Sequence, residues 1–426
     1  MTHDTTRREF IKKTAQLLGM PAIIPASALG RDGHVAPSNR IQIGMIGIGP
    51  RGREVLAPFL KQPDVQLITV CDVQKSNRWT AKMMVDRAYK NQDCQTTGEM
   101  LEVIGRDDID ATIIATGDRW HAVASILAAK AGKDVYSEKP CAITISECRE
   151  LDEAVRLYGR VFQAGTQRRN VPNFRQAVEL ARSGRLGRIH TVHASIYHLE
   201  EIHEWLPAEE EPAIEEVDWD RWLGPVPWRP YNQAYVRGQW RGHRDFDSGA
   251  RLLDWGAHTV DLCQWALGLD GTTPVEFTPD GPTIHARYAN DVKLVMRPGG
   301  PKGNGDWLDL GTCPIRFEGE NGWVEAGDFG KIAAEPTSLL EGFAIESVPG
   351  TDPTAHVRDF LDCIKSRNAP ASNSAVMRSS HVACHAAAIA SIVGRKVTFD
   401  PVSESFANDD EANRLCSRAR RAPWHA

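Results

Sequence analysis

From residue 41 onward the chain alternates short apolar runs with amphipathic stretches. "IQIGMI" (41–46) precedes a helix after Gly52, and "VQLITVCD" (65–72) precedes a helical stretch through the 80s. A helix near 98–105 leads to "DATIIAT" (110–116), followed by a helix from His121 to about Lys130. "DVYSE" (134–138), a helix from Ser146 to about Tyr158 and "RVFQAG" (160–165) complete the series. Strand and helix alternating across short turns predict a parallel, doubly wound sheet.

The rhythm changes at about residue 166. Helix "NFRQAVELARSG" leads into longer strand-like segments, "GRIHTVHASIYH", "GPTIHARYANDVKLVMRP", "PIRFEGENGWVEAG" and "KIAAEP", with few helices between them. This predicts an α+β domain with a large, mostly antiparallel open sheet. "HVRDFLDCIKSR" and "SSHVACHAAAIASIVGRK" are helical again and are expected to pack back on the body. The chain of 426 residues exceeds the size at which one core stops growing. The expected division is residues 1–40, 41–165 for an α/β nucleotide-binding domain of the Rossmann type, and 166–426 for the α+β domain. An open antiparallel sheet leaves a face that needs cover, so a homo-oligomer is expected.

Composition adds exclusions. A net charge of −6 with 42% hydrophobic and 25% charged residues is ordinary for a globular chain and argues against nucleic acid as a partner. The nine cysteines show no metal-site spacing, and several sit in apolar runs as small hydrophobes. No apolar stretch reaches the roughly 20 residues of a membrane helix. His190, His193, His198 and His203 lie beside acidic residues, but residues three apart on a strand face opposite sides, so no metal site is expected.

"MIGIGPRG" places Gly47, Gly49 and Gly52 after an apolar strand and at the start of a helix. The first glycine permits a tight turn, the second a close approach to a pyrophosphate, and the helix start offers oriented N–H groups, with Arg51 among them. Asp72 closes the second strand 20 residues after Gly52, where an acid accepts hydrogen bonds from ribose hydroxyls and repels a 2′-phosphate. NAD(H) is therefore the expected cofactor.

"GIGPRG", "DATIIATGDRWH", "VYSEKPCA", "FQAGTQRR", "VDWDRWLGPVPWRPY", "LLDWGAHTVDLCQWALG" and "DDEANRLCSRARRAPW" together resemble the Gfo/Idh/MocA oxidoreductases, from about residue 40 to the C-terminus. The resemblance implies that Lys139 of "EKP" sits where substrate meets nicotinamide, with Glu138 positioning or charge-balancing it. It implies His121 and Thr116 beside the cofactor, although Gly117 stands where relatives commonly carry a proline. It maps the family's Asp-x-x-x-His pair onto Asp254 and His258, a substrate-orienting carboxylate and a base. Asp254, His258 and Asp261 share one helix face, and an imidazole between carboxylates would have its basicity raised. Read without the resemblance, Asp254 also suits a helix cap and His258 a core histidine.

Seven of the twelve tryptophans (205, 219, 222, 228, 240, 255 and 265) interleave with Arg221, Arg229, Arg237, Arg241 and Arg244. Indole faces and guanidinium groups suit a carbohydrate pocket, though most such tryptophans belong to cores. The expected activity is hydride transfer between nicotinamide and a carbinol carbon of a sugar, polyol or glycoside. A redox-neutral cycle that cleaves a glycoside, as in family 109 glycoside hydrolases, is the alternative; those proteins usually lack the lysine of "EKP". A non-catalytic sugar or NAD-binding protein would be expected to lack Lys139, Asp254 and His258.

"TTRREFIKKTAQLLG" (5–19), the modest apolar stretch after it and Ala26-Ser27-Ala28 resemble a twin-arginine (Tat) signal with a cleavage site. Residues 29–40 read as a linker. Export to the periplasm by the Tat machinery is expected. That route carries folded proteins, so the NAD(H) would be bound tightly enough to leave with the chain.

Overall fold

The computed structural model describes residues 30–31, 35–299, 307–343 and 346–424. The twin-arginine segment lies outside them.

Six strands form the first sheet: β1 (Ile41–Ile46), β2 (Val65–Cys71), β3 (Gln95–Thr97), β4 (Ala111–Ile114), β5 (Asp134–Ser137) and β6 (Phe162–Ala164). Their order is β3-β2-β1-β4-β5-β6 and every pairing is parallel. Helices α1 (Pro50–Leu60), α2 (Lys75–Tyr89), α3 (Met100–Ile104), α4 (Asp118–Lys130) and α5 (Ile145–Leu157) alternate with them. β4 and β5 are buried throughout, as strands covered by helices on both faces are, and Ile113, Ile114, Val135 and Tyr136 supply their apolar centre. Chain order reverses between β1 and β4, and a crevice opens at the carboxyl ends of the strands where such sheets bind ligands.

α4 starts at Asp118, ahead of the expected His121, because Gly117 takes the extended N-cap conformation and its carbonyl accepts from Trp120 N–H.

The second domain opens with α6 (Pro172–Arg182), β7 (Ile189–Ile196), α7 (Trp219–Leu223) and α8 (Leu252–Leu267). β8 (Glu276–Asp280), β9 (Thr283–Arg287), β10 (Lys293–Pro298), β11 (Ile315–Gly319), β12 (Gly322–Gly327) and β13 (Lys331–Glu335) follow. Then come α9 (Thr354–Ser366), α10 (Ser374–Val393), β14 (Val397–Asp400), β15 (Ser405–Phe406) and α11 (Asp410–Arg414). The nine strands run β13-β12-β11-β7-β10-β9-β8-β14-β15, with β7 and β10 the one parallel pair. α6, α8 and α10 pack on one face, so that Phe174, Leu253, Val260 and Ala387 share a core with Val192, Leu294 and Phe317.

Two C-terminal helices pack back. α9 enters the core of the first domain, where Phe360 meets Phe59 and Tyr136 edge-on at 6.3 and 5.8 Å. α10 joins that domain to the second, sharing one core with Ile145 and Cys148 of α5 and with α8. Its 20 residues suit a membrane span by length and composition, although no stretch of that kind is expected from the sequence. Of its most apolar window 72% is buried against the rest of the protein. All nine cysteines are free thiols, and eight are buried.

Candidate active site

The crevice at the carboxyl ends of β1, β2 and β4 is a cleft of about 660 Å³. Gly47, Gly49, Arg51, Gly52, Asp72 and Thr116, all expected to hold the cofactor, line it. Gly47 has φ +86°, and a Cβ there would meet Thr116 N at 2.5 Å, so only glycine lets β1 turn against β4. At Gly49 nothing lies within 4 Å of the Cβ position, and a side chain there would stand in open space where a ligand's backbone approach is needed. The first-turn N–H groups of α1, including that of Arg51, have no partner within the helix. These features fit the pyrophosphate of a dinucleotide.

Asp72 is 8% exposed. Its carboxylate accepts from Ile48 N (2.7 Å), Gln74 N (2.8 Å) and Asn77 Nδ2 (3.3 Å), so it braces the glycine loop while still lining the cleft. Burial raises its pKa, against the pull of those three bonds. Oδ2 takes two of those bonds and Oδ1 one, so Oδ1 keeps an acceptor site for a ribose hydroxyl.

The cleft is roofed from the second domain. Trp222, Val236, Arg237, Trp240 and Arg241 line it, together with Arg119 and Trp120 of α4. Arg119 Nε donates to Trp222 O (2.8 Å), and its guanidinium lies 3.6 Å from the Trp222 ring centre. Burial lowers its pKa to about 9. Gly117 is what makes room: a Cβ there would stand 2.5 Å from Arg119 Nη1. The departure from the family's proline thus belongs to the seam between the domains. Trp205, Trp219, Trp222 and Trp240 share an aromatic cluster with Tyr231, Tyr235 and Phe246. Most of the expected sugar-pocket tryptophans are therefore framework, and Trp222 and Trp240 reach the dinucleotide cleft.

Beside the cleft lies a buried polar cluster. Lys139 Nζ donates to the main-chain carbonyl of Asp254, joining β5 to α8. Glu138 does not partner Lys139; its Oε1 accepts from Arg51 Nη2 at 3.1 Å, which raises the Arg51 pKa. The reason is direction: consecutive residues point opposite ways at the strand end, and Gly165, whose Cβ would lie 2.7 Å from Glu138 Oε1, gives that carboxylate its space. His121 Nδ1 bonds Pro140 O at 2.6 Å, and its Nε2 is buried with no partner among the described residues. Burial raises the Asp118 pKa, with Arg241, Lys139 and His121 acting against Asp254 on its charge.

α8 carries Asp254 and His258, as expected, and ends at Gly268 with φ +69°. The expectation that carboxylates flank His258 and raise its basicity is overturned. Asp261 is taken by Arg169, which donates Nε to Oδ2 (2.6 Å) and Nη2 to Oδ1 (2.9 Å). Asp254 faces Arg251 (3.4 Å) and Arg241 (3.6 Å). His258 is 4% exposed, its Nδ1 has no partner among the described residues, and burial with Arg168, Lys139 and Arg51 nearby holds its pKa well below the usual histidine range. The imidazole is therefore neutral at pH 7 and has a lone pair for a proton, while the same burial and cations make it a weaker base than a free histidine.

The sequence reading missed Asp247. It lies in the turn before α8, where Gly249, Ala250 and Arg251 hold φ of 64°, 50° and 70°. Its Oδ2 accepts from Gly242 N (2.7 Å), its Oδ1 is buried without a partner among the described residues, and burial with Asp118 nearby pushes its pKa to about 7. Three successive left-handed residues, two of them not glycine, were the signal that structure alone exposes. Of the histidines weighed for metal, His190, His198 and His203 are exposed, and His193 faces Glu318 at 3.2 Å.

Strand order, glycine loop and roofed cleft define a dinucleotide-binding α/β protein with a separate α+β domain. Sequence comparison makes the class specific. Residues 41–166 match the NAD-binding Rossmann fold of the oxidoreductase family and 203–426 its C-terminal alpha/beta domain, so the chain belongs to the Gfo/Idh/MocA oxidoreductases. A glycosyl hydrolase family 109 protein 1 of Shewanella sp. (strain ANA-3) is 30% identical over 167 residues, covering 35% of this chain and 36% of that one. Inositol 2-dehydrogenase 3 of Saccharopolyspora erythraea is 28% identical over 191 residues, 43% of this chain and 53% of that one. The matches to the family 109 relatives thus span about a third of their length. The crystal structure of aldose-aldose oxidoreductase from Caulobacter crescentus, complexed with glycerol, shares the fold, with TM-score 0.60 and 19% identity over 84% of this chain and 100% of that one.

Proposed function

We propose that this protein is an NAD(H)-dependent oxidoreductase acting on the CH–OH group of a sugar, polyol or glycoside. The observation that carries the reading is the bond from Lys139, at the end of β5, to the main chain of Asp254 on α8, the helix that also carries His258, beside the dinucleotide cleft. NAD(H), when bound, supplies a hydride acceptor or donor. Lys139 holds the reacting oxygen with its ammonium and stabilises negative charge developing there. His258, neutral because burial and three cations disfavour its charge, takes the hydroxyl proton. Asp254, anchored between Arg241 and Arg251, orients a second hydroxyl. Asp72 favours NAD(H) over its 2′-phosphorylated form.

The family 109 relatives support a second reading, in which the same proton and hydride transfers serve a redox-neutral glycoside cleavage. Lys139 counts against it. The N-terminal twin-arginine resemblance supports a compartment, with the protein exported folded and its cofactor in place, and the open antiparallel sheet supports a homo-oligomer.

The test is incubation of the purified protein with a panel of sugars and glycosides, following absorbance of protein-bound nicotinamide and product masses. A sugar-dependent redox change is expected, and Lys139→Ala should lower turnover by about 100-fold or more while nucleotide binding stays intact. Nicotinamide that never changes redox state with any sugar would remove both catalytic readings, and full turnover in Lys139→Ala would remove the assignment of this lysine.

A further inference from the structure

The last described residues, 416–424, cross the seam between the domains. Cys416 O accepts from Ser146 N at the start of α5 (3.0 Å). Arg418 donates to the carbonyl of Arg244, and Arg420 pairs with Glu150 (2.6 Å) and Glu147 (3.4 Å). Arg421 N–H bonds Pro225 O (2.7 Å), and its guanidinium grips Asp220, donating Nη2 to the main-chain carbonyl at 2.9 Å. The segment ends with Trp424 as a wall of the dinucleotide cleft, edge-on to Trp120 with ring centres 5.1 Å apart. Its indole Nε1 is buried yet bonded to nothing among the described residues, and Arg119 Nη1, also lining the cleft, is in the same state. Two unpartnered donors in one cleft suit a ligand rich in acceptor oxygens and ring nitrogens.

We propose that this C-terminal segment is part of the dinucleotide site: Trp424 closes the outer wall of the cleft, the arginines pin that wall to α5 and α7, and the nucleotide exchanges only when the segment lifts. The inference rests on the proposed NAD(H) dependence. It gives that reading a means of retention built from this chain alone. A ligand that binds only the closed form holds the segment down by mass action, and a segment that opens independently of global unfolding is the element expected to gate release.

Two experiments test it. NADH release into excess NAD+, followed by fluorescence, should quicken at least tenfold in Trp424→Ala and in Arg421→Ala, which loosens the wall without touching the cleft; Trp424→Phe, which keeps an aromatic wall and loses the indole donor, should fall between Trp424→Ala and the unaltered protein. Release at the unaltered rate in both alanine variants overturns the proposal. Should either variant fail to fold, the unaltered protein decides: saturating NAD+ should slow tryptic cleavage after Arg420 and Arg421, read by intact mass, at least tenfold. Equal cleavage with and without NAD+ overturns the proposal, provided calorimetry shows that NAD+ binds. Absence of binding in calorimetry to protein first shown by mass and absorbance to be free of nucleotide overturns the NAD(H) reading instead.

Discussion

Replacing Asp247 by Asn should make the protein more stable, by an amount that grows with pH. Asp247 is 2% exposed, held by one N–H from Gly242, and stands near Asp118 and Asp254 with Arg418 as the opposing cation. Its pKa is raised from 3.8 to about 7, burial being the main cause. The folded state therefore binds this proton more tightly than the unfolded chain does. The stability it contributes is fully present below the unfolded pKa of about 4 and is lost as pH rises through about 7. At about 1.4 kcal/mol for each tenfold in proton affinity, the loss reaches roughly 4 kcal/mol above pH 8 and about 1.5 kcal/mol at pH 5. Asparagine reproduces the neutral acid: its oxygen accepts from Gly242 and its NH2 takes the place of the acid O–H. The stability of Asp247→Asn relative to the unaltered protein should climb from near zero at pH 4 and level off by pH 8. Asp118 is raised in the same direction, so removing the Asp247 charge also eases its ionisation and adds to the difference. Urea denaturation of both proteins at half-unit steps from pH 4.5 to 8.5 measures it. Two curves that stay parallel across that range would refute the placement of a buried, proton-binding carboxyl at 247.

Other outcomes follow from the same packing. Arg169→Ala strands Asp261, which is 1% exposed, and should lower stability by about 3–5 kcal/mol in a thermal melt, whereas Arg169→Met combined with Asp261→Leu should recover most of it. Gly117→Ala sets a methyl 2.5 Å from Arg119 Nη1 and should cost about 1–3 kcal/mol, read in the same melt, together with a rise in the calorimetric Kd for NAD+ as Arg119 leaves Trp222.

The two sheets were legible because burial is written into strand periodicity. β4 and β5 are buried along their whole length since both their faces are covered, with Ile113, Ile114, Val135 and Tyr136 at their centre, and β7 and β9 alternate since one face is open. The glycine loop and Asp72 were legible because their spacing is local. Partners were not. Helix periodicity correctly put Asp254, His258 and Asp261 on one face, but a face does not say what it meets. Asp261 meets Arg169, 92 residues earlier, and Glu138 meets Arg51, 87 residues earlier. Asp247 stayed hidden because its neighbours' left-handed backbone has no mark in "DSGAR" once alanine and arginine replace glycine. The aromatic-rich segment misled in the ordinary way, since indoles that could stack on sugars mostly stack on one another, as Trp219 does on Trp222 with ring centres 4.6 Å apart.

The return of α9 into the first core sets the order in which the molecule can be completed during synthesis. Phe360 and Val357 leave the ribosome about 190 residues after β6, yet they belong to the first domain's core, where Phe360 packs edge-on to both Phe59 and Tyr136. The nucleotide domain, though first in the chain, waits with an unfinished core until most of the second domain has been made, against the usual N-terminal-first sequence of folding. A prematurely terminated chain therefore cannot mature its dinucleotide half. Under the export of a folded chain proposed above, completeness of the chain becomes a condition of export.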